Sequence, residues 1–339
     1  MEFRDFTAGK DDNGRRLDRI LRIFLPDANL SEVYKLIRKG LVKVNHKKAK
    51  PELHVNEGDI ISIADFLFSK QGAAEQIQNN TSKDAQNSKQ NLKIVFENEH
   101  ILIIDKPYGR SVHGSENDSN GLDKDVLAYY EAKKVKRSEK ATSLSFRPGP
   151  VHRLDRNTSG LLVFSMSLKG AHWFSEGIKN HTIHKKYYGL AQGNLTETQE
   201  WEDKLSDSDA TEDGFYTVSQ NTHGQLAQTS ARPLAHGNLN GAPVTLVEFS
   251  IKTGRKHQIR AQSLIHKHPL AGDKAYGAKP FPVNNKENSK IFGREYYLQA
   301  FSLSFPQNNP LGLPEEIKIP LSDDFISLLQ YCEIKNPGL

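Results

Sequence analysis

Cysteine, methionine and tryptophan are scarce: one Cys, two Met and two Trp occur in 339 residues. With Cys332 alone, an intrachain disulfide and a cysteine-based zinc site are both excluded. No apolar run approaches the ~20 residues of a membrane-spanning helix, and mean hydropathy is −0.63. The opening Met1-Glu2-Phe3-Arg4-Asp5 lacks the charged-then-apolar order of a signal peptide, so the cytoplasm is the expected address and no membrane partner is expected. Neither Gly-x-Gly-x-x-Gly nor Gly-Lys-Ser/Thr is present, so nothing points to a dinucleotide or ATP site. His-Glu-x-x-His is also missing. His266 and His268 lack companion ligands, and no metal is expected. Ser159 lies near His152 and Asp155, but the Gly-x-Ser-x-Gly elbow of a hydrolase is absent.

What the chain has is charge, with a mild positive excess. Lys and Arg total 46 against 41 Asp and Glu, a net charge of +5. That balance is compatible with a nucleic-acid partner without establishing one. The length suits about two domains. Basic residues concentrate early: Arg15, Arg16, Arg19 and Arg22, then Lys35, Arg38, Lys39, Lys43, Lys47, Lys48 and Lys50 with no acid between Lys35 and Lys50. This segment also has folded periodicity. Leu17, Ile20, Leu21 and Phe24 recur at helical spacing, and Pro26-Asp27 breaks the pattern. Ser31 is the expected N-cap of a second helix carrying Leu30, Val33, Leu36 and Ile37, with Gly40 at its end. Strands are expected at 41–45 and 60–63. Residues 14–68 therefore read as a small α+β domain. Residues 69–91 are rich in Gln, Asn, Ser and Lys and read as a flexible linker. Residues 92–331 read as one larger α+β domain with a mainly antiparallel mixed sheet. Its expected strands include 94–96, 101–105, 160–164, 187–191, 244–251 and 297–305; its expected helices are 123–134, 169–179 and 256–266. The polar stretch 200–241 shows no clear pattern.

Three segments concentrate reactive side chains. In Gly149-Pro150-Val151-His152-Arg153-Leu154-Asp155-Arg156-Asn157-Thr158-Ser159-Gly160, polar density precedes a buried strand, the place where a loop site commonly sits. Taken alone, it reads more readily as a capped turn in which Asp155, Asn157 and Thr158 satisfy backbone groups. Lys252-Thr253-Gly254-Arg255-Lys256-His257-Gln258-Ile259-Arg260 falls at a strand-to-helix junction, which suits an anion, or else forms a solvated basic helix face. Lys185-Lys186-Tyr187-Tyr188 offers an aromatic that could stack a base, or simply one core and one surface tyrosine.

Together these segments resemble the RluA family of pseudouridine synthases. The run His152-Arg153-Leu154-Asp155-Arg156-Asn157-Thr158-Ser159-Gly160 looks like the family's signature loop. Asp105-Lys106-Pro107-Tyr108-Gly109 with Val112-His113 looks like its Lys-Pro-x-Gly segment, and Lys185-Lys186-Tyr187 like its tyrosine strand. Thr253-Gly254-Arg255-Lys256-His257-Gln258-Ile259-Arg260, then His268-Pro269, Gly272-Asp273 and Tyr276-Gly277, looks like its C-terminal motif. The order agrees over residues 92–305. Residues 15–63 resemble the S4 RNA-binding domain, through Arg16-Leu17-Asp18, Leu36-Ile37-Arg38-Lys39-Gly40, Val42-Lys43-Val44-Asn45 and Gly58-Asp59. Val33 to Gly40 and Lys50-Pro51-Glu52 look like the RluC branch, which modifies large-subunit ribosomal RNA. Arg110 departs from the pattern, standing where the family has an apolar residue, and the linker is long and polar.

The resemblance implies a pseudouridine synthase fold and isomerisation of uridine, a reaction with no net redox or hydrolysis and so no cofactor. It implies Asp155 as the catalytic carboxylate and Arg260 as its partner, because an Arg beside a carboxylate favours the charged form and fixes its direction. It places Tyr187 on the face of the uracil, where it could assist proton removal from C5. His152, Leu154, Thr158 and Leu161 are expected around the pocket, and Arg153 is expected to fill the gap left by a flipped-out base. Arg16, Lys35, Arg38, Lys39, Lys43, Lys106, Arg255, Lys256 and His257 are expected to contact RNA. The expected partner is 23S ribosomal RNA or its assembly precursor, bound by a monomer with no obligatory protein partner. Two alternatives stay open at this point: a non-catalytic S4-type assembly protein, and the same chemistry on transfer RNA.

Overall fold

The computed structural model describes the chain apart from residues 26–27, 70–91, 115–120, 138–143, 145, 211–215, 280, 282–288 and 335–339. The expected helix breakers Pro26 and Asp27, and nearly all of the expected linker, lie outside the described residues.

The N-terminal unit contains β1 (Phe3–Thr7), β2 (Arg15–Arg16), α1 (Leu17–Phe24), α2 (Leu30–Arg38), β3 (Val42–Val44), β4 (Lys47–Lys48), β5 (His54–Val55), β6 (Ile60–Ala64) and α3 (Phe66–Ser69). Its main sheet has the order β1-β6-β3-β4 and is antiparallel throughout. Leu17, Ile20 and Leu21 of α1 and Val33 and Ile37 of α2 are buried at helical spacing, packing with Val42, Ile61 and Ile63. The core reaches back to Ala8, and β1 lies ahead of residue 14, where the small domain was expected to begin. Asn29, rather than Ser31, caps α2. Its side chain accepts from the Glu32 N–H, and the Glu32 carboxylate accepts from the Asn29 N–H, a reciprocal box that Ser31 has no partner to form. Asn45 and His46 both have positive φ, 49° and 62°, and turn β3 into β4.

The larger unit runs β7 (Ile94–Glu97), β8 (Ile101–Lys106), α4 (Leu122–Arg137), β9 (Gly149–Pro150), β10 (Ser159–Ser165), α5 (Leu168–Lys179), β11 (His184–Gln192), β12 (Gln199–Ala210), β13 (Tyr216–Gln220), β14 (Gln225–Leu239), β15 (Ala242–Ile251), α6 (Gln258–Ile265), α7 (Ser289–Phe292), β16 (Leu298–Ser304), β17 (Glu316–Lys318) and α8 (Asp323–Tyr331). Nine strands follow the order β13-β12-β14-β15-β11-β16-β10-β8-β7, with β17 on β16 and β9 on β10. Among the described pairs only β10 and β16 run parallel. Among its described residues the polar stretch 200–241 is mostly strand, in β12, β13 and β14. Trp201, Asp203 and Leu205 of β12 turn inward while Glu202 and Lys204 face solvent.

Alternation along the central strands gives the sheet two buried faces. Ile101, Ile103, Leu161 and Val163 join Phe174 of α5 and Phe325 of α8 on one face. Leu102, Ile104, Leu162 and Phe164 join Val126 of α4, Tyr187 and Ile259 on the other. No helix among the described residues is long and apolar enough to cross a membrane.

The parallel β10–β16 contact depends on Gly160. Its φ is +107°, and a Cβ there would sit 2.1 Å from the Ala300 carbonyl oxygen. Both the backbone conformation and the space exclude a side chain. Gly160→Ala is expected to destabilise the protein by about 3 kcal/mol or more, the sum of backbone strain and overpacking. Thermal melts check this: a variant melting with the parent would mean that the two strands separate freely.

Candidate active site

The loop 151–158 connects β9 to β10 and is held from below by one ammonium. Lys106, at the end of β8, is wholly buried, and its Nζ donates to the carbonyls of Thr158 (2.7 Å), Arg156 (2.8 Å) and Pro107 (3.1 Å). All three N–H donors are used inside the protein. Lys106 is therefore a clamp and not an RNA contact, which corrects the expectation. A second clasp lies beside it: Gly109 N–H donates to the Arg156 carbonyl, and Arg156 Nε donates to the Gly109 carbonyl. Burial pulls the Lys106 pKa down to about 7, with the nearby Asp155 acting in the opposite direction.

This loop forms one wall of a cavity of about 270 Å³. Asp155, Arg153, Leu154, Thr158 and His152 line it from the loop, and Tyr187 from β11. The 252–257 turn and the start of α6 line it from across, bringing in His257 and Arg260. Three distant segments thus converge, as the resemblance implied. Leu161 does not take part. Strand alternation turns its side chain to the opposite face of the sheet, with Ile101 and Phe174, so the expected pocket role is corrected.

Arg260 is held in a polar and aromatic cage. Its Nε and Nη2 donate to the two carboxylate oxygens of Asp273 at 2.7 and 2.8 Å. Its guanidinium carbon lies 4.4 Å from the Tyr296 ring centroid and 4.8 Å from that of Tyr276. The remaining Nη1 faces Asp155 Oδ2 at 3.9 Å. Burial works against the Arg260 charge, but the Asp273 hydrogen bonds and the surrounding carboxylates outweigh it and raise its pKa above the ordinary arginine value. The resemblance includes Asp273 and Tyr276 in its C-terminal motif without giving them a role, and Tyr296 goes unmarked; their separation from Arg260 along the chain conceals the cage.

His257 lies beside the same carboxylate. Its Nε2 is 3.8 Å from Asp155 Oδ1, and its backbone adopts a left-handed conformation, φ +51°, at the head of α6. The side chain, expected to contact RNA, is 17% exposed and lines the cavity. Its tautomer follows from the hydrogen bonds. The Val218 N–H donates to the Tyr276 hydroxyl, and that hydroxyl, 2.9 Å from His257 Nδ1, is assigned as the donor to the ring. The proton of the neutral imidazole then sits on Nε2, directed at Asp155. Burial pushes the His257 pKa down to about 4; Asp155 opposes this, while Arg260, Lys256 and Arg153 reinforce it. Tyr187 is 5% exposed, and burial together with Asp155 raises its pKa above the ordinary phenol value. It is a ring face and a hydrogen-bond donor, not a ready base.

The basic residues divide by position. Arg153 is exposed at the cavity mouth. Arg255 donates to the Leu226 carbonyl and the Gln225 side chain, and Lys256 pairs with Asp207 at 2.8 Å. In the N-terminal unit Lys35, Arg38 and Lys39 are exposed, while the Lys43 ammonium sits 4.3 Å from the Phe3 ring centroid. Arg16 folds back onto Asp18 and Tyr34. Among the described residues no group of His, Cys, Asp and Glu could hold a metal ion.

Two buried imidazoles make the fold acid-sensitive. The pKa of His257 falls from 6.5 to about 4 and that of His152 from 6.5 to about 3, both mainly by burial. Below pH 6.5 the unfolded chain therefore takes up protons that the folded chain excludes. Stability falls as pH drops through this window and stops falling through each group only below its folded pKa. His257→Gln is expected to melt with a shallower pH dependence between 6.5 and 4.5 than the parent. Parallel curves would remove His257 from the acid response.

Residues 100–264 match the family model described as RNA pseudouridylate synthase, and residues 15–61 match the S4 domain. A ribosomal large subunit pseudouridine synthase C of Haemophilus influenzae is 31% identical, over 89% of this chain and 87% of that protein. A protein of the same name from Escherichia coli K12 is 29% identical, over 94% of this chain and 93% of its own length. Among solved structures, human RNA pseudouridylate synthase domain containing 4 covers 76% of this chain and 98% of its own, with a TM-score of 0.54 and 22% identity, a likeness of fold. With the sequence match extending nearly end to end and the three motif segments meeting at one cavity, the chain belongs to the RNA pseudouridine synthase family.

Proposed function

We propose that this protein isomerises uridines of large-subunit ribosomal RNA to pseudouridine, with Asp155 as the catalytic carboxylate. The observation that carries the reading is one carboxylate facing a cavity otherwise walled by Arg153, Arg260, His257 and a tyrosine ring. A pure RNA binder gains nothing from a negative charge at the centre of a basic cleft, so the assembly-protein reading has no use for Asp155. The large-subunit target follows the names of the relatives. We take the N-terminal unit, residues 14–68 together with β1 ahead of them, as the RNA-gripping unit, joined through 69–91 to a catalytic unit at 92–331.

The reaction breaks the bond from N1 to C1′ and makes one from C5 to C1′. The C5 proton leaves and N1 regains one, so the atoms balance without an added reagent. A glycosidase needs two carboxylates because water must also be served. Here the base stays, and one carboxylate is enough. Asp155 either attacks C1′ or takes the C2′ proton; both routes require it beside the ribose. Arg260 Nη1 and His257 Nε2–H flank its two oxygens and set their direction, with no rearrangement needed when substrate enters. The uracil stacks on Tyr187. Reaching this cavity requires the nucleotide to leave its helix, and Arg153 at the mouth fills the vacancy. Exposed Lys35, Arg38, Lys39 and Arg255, with the half-buried Lys256, supply phosphate contacts and hence a steep salt dependence.

Mapping pseudouridines in ribosomal and transfer RNA, in a host without its own large-subunit synthases, tests the reading. Asp155→Asn is expected to lower product formation by ~10³-fold or more while leaving RNA affinity within a few-fold. Sites confined to transfer RNA would discard the ribosomal target, and RNA binding with no product would leave the assembly-protein reading. Arg153→Ala is expected to slow turnover on folded RNA far more than on an unstructured oligonucleotide. Equal activity on folded RNA would remove the wedge role.

A further inference from the structure

The catalytic cavity holds two donors that no described residue satisfies. Lys185, on β11, is 5% exposed and lines the cavity, yet it makes no hydrogen bond or ion pair with any described residue. Burial alone pulls its pKa down to about 8, so it is still mostly an ammonium at neutral pH. His152 lies on the same wall. Its Nε2 accepts the Val163 N–H at 3.2 Å, which puts the proton of the neutral ring on Nδ1. That Nδ1 is buried without a hydrogen bond of good geometry, although the Arg153 backbone lies close enough to favour the charged ring. The two groups sense each other, since Lys185 is the second cause, after burial, of the depressed His152 pKa. Gly254 stands opposite: a Cβ there would lie 3.3 Å from Lys185 Nζ, so the missing side chain leaves the ammonium approachable. Lys106, equally buried, uses all its donors on carbonyls. Lys185 has no such arrangement: its ammonium opens on the cavity instead of being sealed among carbonyls, so an anion that enters there can pair with it.

We propose that Lys185 and His152 form an anion subsite that takes a phosphodiester oxygen of the target nucleotide. The proposal rests on the reading of this cavity as the place of a flipped-out uridine. The chemistry selects the ligand. Lys185 Nζ and His152 Nδ1–H are both donors. The pairing edge of uracil presents an N–H between two carbonyls and would leave that N–H unmatched. A phosphodiester offers acceptors only and carries the full charge that a desolvated ammonium needs. Placement agrees: Lys185 and Tyr187 share a face of β11, two residues or about 6.6 Å apart along the strand. The subsite is thus one side-chain step from the ring that faces the base, on the scale of a sugar–phosphate link.

The test uses the full-length protein and a transcript of large-subunit ribosomal RNA, with Lys185→Met and Lys185→Arg beside the parent. For Lys185→Met, KM is expected to rise at least tenfold with kcat within about twofold, and the slope of log kcat/KM against log salt to become shallower by about one. Lys185→Arg is expected to recover part of the KM. The melting temperature of free Lys185→Met is expected to equal or exceed the parent's, because no native partner is lost. Three results would overturn the subsite: a fall in kcat at constant KM, which would place Lys185 on the departing base; a lower melting temperature with unchanged salt slope, which would make it structural; or no change at all. A parent that forms no pseudouridine in the transcript would instead remove the functional reading, and the subsite with it.

Discussion

The site is organised around the paired hydrogen bonds from Arg260 to Asp273. Two guanidinium nitrogens are committed to one buried carboxylate, and two tyrosine rings close over the faces, so the third nitrogen can point in only one direction. That direction is towards Asp155. A buried ion pair of this kind adds little net stability over an apolar replacement, yet removing one partner alone costs about 3–5 kcal/mol because the other charge is stranded. Its function is geometric. Arg260 is at once a fixed positive charge beside the Asp155 carboxylate and an anchor tying α6 to the segment around Asp273. Tyr276 extends the arrangement: one face covers Arg260, and its hydroxyl fixes the His257 tautomer. One cage therefore sets the surroundings of both Asp155 oxygens.

Two buried lysines show how the same side chain can serve opposite ends. Lys106 sits under the 151–158 loop with three carbonyl acceptors, so its charge is dispersed within the fold and the loop cannot drift from β8. This explains why a Lys-Pro turn and a loop fifty residues later belong to one functional unit without either being a ligand of the other's chemistry. Lys185 is nearly as buried as a residue, but its ammonium opens on the cavity and has no acceptor. On the proposed reading, substrate completes that group. The number of acceptors around the ammonium, more than its burial, separates structure from recognition.

Much of this was legible in the sequence, and the failures have physical causes. The polar loops at 152–160 and 252–260 stand out because they interrupt apolar strands, and motif order put Asp155, Tyr187 and Arg260 in one reaction. Hydrophobic periodicity located β8, β10, β11, β15 and α5 to within a few residues. It failed over 200–241 because β12 places an acid, Asp203, at an inward position. There the acid accepts from Gln262 and lies 3.0 Å from His266 Nε2, a network visible only once α6 lies over the strand. Lys106 was misassigned because composition cannot tell an ammonium facing solvent from one facing carbonyls. Leu161 was misassigned because a strand buried on both faces gives no alternation from which to choose a side. Asp273, Tyr276 and Tyr296 reach Arg260 from segments whose spacing carries no periodic signal.

Charge balance explains why a cleft built for a polyanion can keep a carboxylate at its centre. On the proposed reading, Arg153, Arg260 and Lys185 attract RNA, and an unshielded Asp155 would resist it. Its two oxygens, however, face Arg260 Nη1 and the Nε2–H of a neutral imidazole. Were His257 to ionise at neutral pH, Asp155 would lie between two full cations, a pairing that favours a static salt bridge over reaction with a sugar. Burial prevents this by keeping the ring neutral down to about pH 4. The carboxylate thus keeps one charged and one neutral neighbour, enough to orient it and too little to neutralise it. The left-handed backbone at His257, costly for any residue but glycine, is the strain accepted to bring that neutral donor to the second oxygen.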